Sequence, residues 1–214
     1  MTFRDMTVRR LGGWAVRGAL LCNALLTAYP PNRLPAQDSL PAGFGTLRRD
    51  DVAVRITTDQ VDIQVLPLSE GIIRLLAPDT YTSLSDLVRT RRWAVDSVAA
   101  QMAVPRPTLV LVTFVGLVPQ ARFSPEDVNL ASGGQLYRPI GIVPITPGWG
   151  SYQLEARAQA SAIYLFDEGI TFREDLTVSY QNRSSTAWSR SVRILDQERA
   201  RVRGRATAGT IGPS

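Results

Sequence analysis

Val52, Val54 and Ile56 alternate with Ala53, Arg55 and Thr57, and after Thr58-Asp59-Gln60 the alternation resumes at Val61, Ile63 and Val65. Apolar residues at every second position line one face of a strand, so two such runs around a short polar break predict a β-hairpin. From Leu84 the period changes. Leu84, Leu87, Val88, Val95, Val98, Ala99 and Met102 are spaced by threes, fours and sevens, with Arg89, Arg91, Arg92 and Asp96 largely opposite them. That spacing predicts one amphipathic helix over about 83–102, capped by Ser83 or Ser85 and ended by Pro105.

Beyond Pro107 the chain reads as β. Residues 109–115, Leu-Val-Leu-Val-Thr-Phe-Val, form a continuous β-branched and aromatic run, expected of a central strand covered on both faces. Further strands are expected over 121–130, 136–145, 154–166, 170–180 and 186–195. Gly133-Gly134, Pro147-Gly148, Asp167-Glu168-Gly169 and Asn182-Arg183-Ser184-Ser185 separate them. The alternating alanines of 154–166 suit a helix as well, and Tyr164-Leu165-Phe166 running into a Gly turn favours the strand. Turns at this regular interval favour a sandwich over βαβ units.

The Leu176-x-Val178-x-Tyr180 spacing resembles, over five residues, the tyrosine-corner strand of immunoglobulin-like domains. The expected fold is therefore mainly β: an antiparallel sandwich of immunoglobulin-like or jelly-roll type with one accessory helix. Trp93 and Trp188 are expected in its core. Residues 199–205 alternate arginine with small residues and read as an edge strand that resists aggregation.

The N-terminus follows a different pattern. Arg4, Arg9, Arg10 and Arg17 lead into the apolar run 18–28, and Tyr29-Pro30-Pro31-Asn32-Arg33-Leu34-Pro35-Ala36 breaks it. Basic residues, a short apolar stretch and a breaker ending in a small residue make a signal peptide. The competing reading is an amphipathic or buried N-terminal helix. The apolar stretch is too short to span a bilayer, so no transmembrane segment is expected after cleavage. Cleavage is expected between Ala36 and Gln37, with a site after Ala28 as the alternative. Leu21 stands where a lipoprotein box needs a small residue, so lipid anchoring through Cys22 is not expected. The organisation is then a signal peptide over 1–36, a flexible lead-in over 37–46, one β-rich domain over 47–205 and a loose tail over 206–214. The compartment is the periplasm or the medium.

Composition sharpens the chemistry. All 24 cations are arginine, and the chain has no His and a single Cys. Five of the arginines and one acid precede residue 37, leaving 24 − 5 = 19 Arg against 19 − 1 = 18 acids, so the net charge of +5 falls to about +1. No nucleic-acid partner is expected on that balance. Without His, Lys or a mature Cys there is no Ser-His-Asp triad, no Cys-His pair, no Ser-Lys dyad and no P-loop lysine. Zinc sites built on Cys and His are excluded as well. Glu126, Asp127 and Asn129 lack the Gly-centred spacing of a calcium loop. No metal and no cofactor are expected.

Two binding features remain. Trp149 and Tyr152 stand in the Gly-flanked loop Pro147-Gly148-Trp149-Gly150-Ser151-Tyr152, where aromatics stack on sugars or fill a partner's pocket; Trp149 has the second option of covering one end of the core. Arg199, Arg201, Arg203 and Arg205 offer a polyanion-binding row, against the option of an ordinary solvated surface. The function expected is an exported, non-enzymatic binding or structural module of the bacterial cell envelope, with an envelope protein or glycan as partner. The alternative is a small glycan-active enzyme working with two carboxylates.

Overall fold

The alternating runs form the hairpin expected of them. Strand β1 (Val54–Thr57) pairs antiparallel with β2 (Val61–Pro67), placing Ile56 opposite Ile63 and Val54 opposite Val65. Thr58 closes the turn, its hydroxyl donating to the Val61 carbonyl and accepting the Val61 amide. The run at 109–115 becomes β3 (Thr108–Gly116), flanked by β2 on one side and β9 (Gln159–Phe166) on the other. It occupies the centre of a five-stranded antiparallel sheet ordered β1-β2-β3-β9-β7, with β7 spanning Gly141–Pro144. Of the strand expected over 154–166, residues 159–166 form β9, while Leu154 ends the separate short strand Gln153–Leu154 and a turn over 155–158 divides the two.

The structure is a computed structural model, and it describes residues 43–210. The proposed signal peptide, residues 37–42 of the lead-in and residues 211–214 of the tail lie outside the described residues. Two short β4–β8 strands (Ala121–Arg122 and Gln153–Leu154) form a ribbon. A four-stranded sheet, β11-β10-β5-β6, joins Arg183–Ser185, Leu176–Tyr180, Val128–Ser132 and Gln135–Tyr137. All of these strand pairs are antiparallel. The protein is thus mainly β, built from antiparallel sheets.

The two main sheets meet through their apolar faces. Val54, Val65 and Val110 from the larger sheet enclose, with Leu130, Leu176 and Val178 from the smaller, a space that also takes Phe172 and Trp188. Leu109 and Leu111 alternate with Val110 and Val112 and therefore face the opposite side of β3. The helices α2 (Glu70–Ile73) and α3 (Pro78–Gln101) cover that side, α3 crossing β7 so closely that a Cβ on Gly141 would overlap the Val98 side chain.

Helix α3 begins five residues before the expected cap. Pro78 takes the first helical position, where its fixed φ suits the helix and its missing N–H costs nothing. Tyr81, in that extra turn, donates from its hydroxyl to Glu70 of α2 at 2.8 Å. The helix stops after Gln101, with Met102 capping and Ala103 left-handed at φ 56° ahead of Pro105. Trp93 is a correction: it is 83% exposed, not core. It lies two residues from buried Val95, about 200° around the helix at 100° per residue, and so faces solvent.

The largest correction is at the C-terminal end. Residues 188–210 form one helix, α4 (Trp188–Thr210), where strands were expected over 186–195 and 199–205 and a loose tail from 206. Its buried positions are Trp188, Ser191, Leu195, Glu198 and Val202, spaced by threes and fours as one helical stripe demands. The stripe is legible in the sequence except that its fourth member is a glutamate, and the alternation of arginine with small residues imitates a strand. Trp188 is core as expected, fully buried against Phe172 at 5.7 Å between ring centroids, its indole N–H donating to the Phe172 carbonyl. The strand expected over 170–180 survives only as β10, although Phe172 still turns inward. Segment 121–130 is likewise broken, by a 3-10 turn over Pro125–Asp127, and 136–145 is divided between β6 and β7.

Glu198 holds α4 to the entering chain. Its fully buried carboxylate accepts from the Thr46 amide at 3.0 Å and the Thr46 hydroxyl at 3.1 Å, and from Arg205 at 3.2 Å and Arg201 at 3.3 Å. Burial alone would raise its pKa, but the bonds from Arg205, Thr46 and Arg201 outweigh that and hold it below the ordinary glutamate value. Residues 43–46, expected to be a loose lead-in, are therefore tied down. The Gly45 amide donates to Arg74, and a Cβ on Gly45 would overlap the Leu75 carbonyl.

Two measurements follow from this packing. In urea unfolding, Trp188→Ala is expected to cost about 3–5 kcal/mol and Trp93→Ala no more than about 0.5 kcal/mol; comparable losses would contradict the placement of α4. Because the folded pKa of Glu198 is depressed, its contribution is complete above the unfolded glutamate value of about 4.3 and is lost as pH falls through the lower folded one. Glu198→Gln should flatten that acid limb of the stability profile, at a cost of about 1–3 kcal/mol near neutrality.

Candidate functional site

Four connections converge at one end of the two sheets. The Gln60 carbonyl, in the β1–β2 turn, accepts the Leu117 amide that follows β3, and the Gln60 side-chain carbonyl accepts the Arg122 amide at 2.8 Å. Tyr180, closing β10, accepts the Ser124 amide on its phenol oxygen at 2.9 Å. Arg183, opening β11, reaches back to Asp59 at 3.6 Å. Between them lies a cleft of about 290 Å³ lined by Thr58, Asp59, Gln60, Arg122, Ser124, Tyr180, Gln181, Asn182 and Arg183, nearly all polar.

The backbone at this end is held in uncommon conformations. Gln120, Tyr152 and Gln181 have φ of 55°, 51° and 52°, a left-handed region that residues other than glycine enter at a cost of about 1–2 kcal/mol. Gln181 forms part of the cleft wall, and Gln120 directly precedes the β4–β8 ribbon that carries Arg122. Local strain of this kind persists only where the surrounding structure over-determines it.

An aromatic cluster lies behind the cleft wall and meets it at Tyr180. Phe114 stacks on Phe123 at 4.5 Å and meets Trp149 and Tyr180 edge-on at 5.9 Å each, while Trp149 also contacts Phe123 at 5.3 Å and Tyr164 at 6.5 Å. Trp149 is 7% exposed, so it takes the second of its two options and covers the end of the core. Tyr152 is 43% exposed and packs edge-on against Phe123 at 6.0 Å. The ribbon places Tyr152 beside Phe123, whereas Arg122 and Ser124 alternate to the other side and line the cleft. The loop aromatics singled out from sequence thus lie under and behind the cleft. The residues that line it were missed because they are ordinary polar positions in three separate segments, 58–60, 122–124 and 180–183; the turn signals at 58–60 and 182–185 were the local hints.

Tyr180 is 1% exposed, yet its hydroxyl reaches the cleft. Burial raises its pKa, with the Asp127 charge adding to the rise and the Ser124 bonds opposing it. The phenol therefore keeps its proton at neutral pH. The bond to Ser124 also distinguishes Tyr180 from a tyrosine corner, since its partner stands 56 residues earlier and not a few.

The remaining charges are mostly neutralised locally. On α4, Arg199 pairs with Asp196 at 2.7 Å, Arg201 and Arg205 serve Glu198, and Arg203 has no carboxylate partner among the described residues. The helix sends successive members of this row to different sides, so the four arginines do not form one free stripe. A more apolar groove of about 390 Å³ runs between α3 and α2, but its charged rim is internally paired, Arg92 with Asp96 and Glu70 with Arg74 outside it. On the outer face of the larger sheet, half-buried Arg49 donates to Thr113 at 3.3 Å, and Thr113 shares a hydrogen bond with Ser161 at 2.9 Å. Burial pulls the Arg49 pKa down against the pull of Asp50.

Fold and cleft together define a mainly β, antiparallel protein with a polar, loop-built recess at one end. No family model matches the chain, and no curated protein or solved structure matches it. Among the described residues no cluster of three or more His, Cys, Asp or Glu side chains is placed to hold a metal ion, and no helix is long and apolar enough to cross a membrane.

Tyr180→Phe removes the acceptor for the Ser124 amide. It should cost about 1 kcal/mol in unfolding experiments. In ultraviolet titration, the phenolate signal missing from the variant should be one that appears in the parent only above the ordinary tyrosine value.

Proposed function

We propose that the chain is an exported, non-enzymatic module of the bacterial cell envelope that binds a polar ligand, an envelope glycan or the polar surface of an envelope protein, through the cleft at its loop end. The observation that carries the binding half is the recess itself. Turns from both sheets supply its wall, buried aromatics support it from beneath, and left-handed residues hold its backbone. Rigid elements presenting polar side chains from loops are the usual form of a recognition site.

The export half stands on the first 36 residues, whose basic, apolar and breaking segments follow the order of a signal peptide. A two-carboxylate enzyme is less well supported, because the recess holds one carboxylate, Asp59, in contact with Arg183. Retaining and inverting glycosidases alike need a second acid across the reacting bond.

N-terminal sequencing of the protein recovered from periplasm or medium should begin at Gln37. Recovery of a cytosolic chain starting at Met1 removes the envelope role. Calorimetric titration and pull-down against envelope glycans and proteins should return a ligand whose binding depends on the cleft residues. Sustained turnover of a polysaccharide that vanishes with a single carboxylate-to-amide change would replace the binding module with an enzyme.

A further inference from the structure

The polar groups of the cleft are not balanced between donors and acceptors. Arg122 and Arg183 bring two guanidiniums against one carboxylate. Arg122 has no carboxylate partner among the described residues. Arg183 and Asp59 are held at 3.6 Å with 55% and 96% of their side chains exposed, so the pair is loose and gives way readily to a better-placed anion. The Asp127 charge acts on Tyr180 from outside the lining.

The neutral groups lean the same way. The acceptor capacity of Gln60 is engaged by the Arg122 amide, leaving its NH₂ to donate. The Thr58 hydroxyl is engaged within its own turn. Tyr180, almost wholly buried, borders the recess with its phenol oxygen held by Ser124, and Gln181 and Asn182 complete the wall. A guanidinium presents its N–H groups as a planar fork that matches carboxylate and phosphate oxygens, while amides and hydroxyls match the alternating donors and acceptors of sugar hydroxyls.

Resting on the binding reading above, we propose that the cleft takes an acidic saccharide. Its oxyanion, a carboxylate or a phosphate, lies on Arg122 and Arg183, and its ring hydroxyls meet Gln60, Ser124, Gln181 and Asn182. Asp59 competes with the ligand for Arg183 and is no part of the attraction.

Calorimetry on the purified protein at low salt tests this with four probes: oligogalacturonate, glucose 1-phosphate, a neutral malto-oligosaccharide and inorganic phosphate. At least one of the two acidic sugars should bind ten times more tightly than the neutral one, and the carboxylated and phosphorylated arms tell which oxyanion is preferred. Arg122→Ala and Arg183→Ala, both at exposed positions, should each weaken that binding at least tenfold. Asp59→Asn should leave it unchanged or tighten it two- to threefold, and added salt should weaken it. Equal affinity for neutral and acidic sugars, lost in the arginine variants, would keep the cleft as a binding site and overturn the acidic class. Inorganic phosphate binding as tightly as the acidic sugars would overturn the saccharide assignment. Acidic-sugar binding indifferent to both arginine variants, or none at millimolar concentration, would overturn the proposal outright.

Discussion

Strand β3 is apolar on both faces, and most of the architecture answers to that fact. Val110, Val112 and Phe114 turn toward the smaller sheet, while Leu109 and Leu111 turn the other way. A strand of this kind is stable only when both sides are covered, because each large apolar side chain left in water forgoes about 1.5–3 kcal/mol. One cover is the four-stranded sheet. The other is the pair α2 and α3, and the close approach at Gly141 shows how tightly the second cover is seated. Where the helices end, the outer face turns polar at Thr113 and Ser161, which bond to each other, Thr113 also accepting from Arg49.

One carboxylate joins the entering segment at Thr46 to α4. Glu198 sits in the buried stripe of α4 and receives four hydrogen bonds, two of them from Thr46. A charge so placed is costly to bury and strongly favourable only while every bond is made. The entering segment, α4 and the Leu75 region therefore assemble as a unit.

The loop end follows another logic. Aromatic rings behind the cleft give its three segments a rigid base, and of the polar residues in front of them Gln60, Thr58 and the phenol oxygen of Tyr180 are engaged in hydrogen bonds, with Arg183 and Asp59 loosely paired. Such a division, with an apolar foundation and a donor-rich surface, suits recognition of a ligand rich in acceptors. The same residues explain why acid-base chemistry is a poorer fit: donors abound, but a second carboxylate does not line the recess.

The sequence by itself determined the features that depend on neighbours along the chain. The hairpin at 54–67, the central strand at 108–116, the helix ending before Pro105 and the antiparallel β character all follow from periodicity and turn residues, which act over a few positions. Tertiary structure decided what depends on distant partners. Residues 188–210 became a helix because Trp188, Leu195 and Val202 have a core to fill and Glu198 has Thr46 and two arginines to meet, none of which local alternation can reveal. Trp93 is exposed where core was expected, and Trp149 takes the core-covering one of its two options, because exposure is set by what packs on an element and not by its composition. The cleft was least legible of all: each lining residue is unremarkable in its own turn, and only the closing of two sheets brings two arginines, a phenol and three amides to one recess.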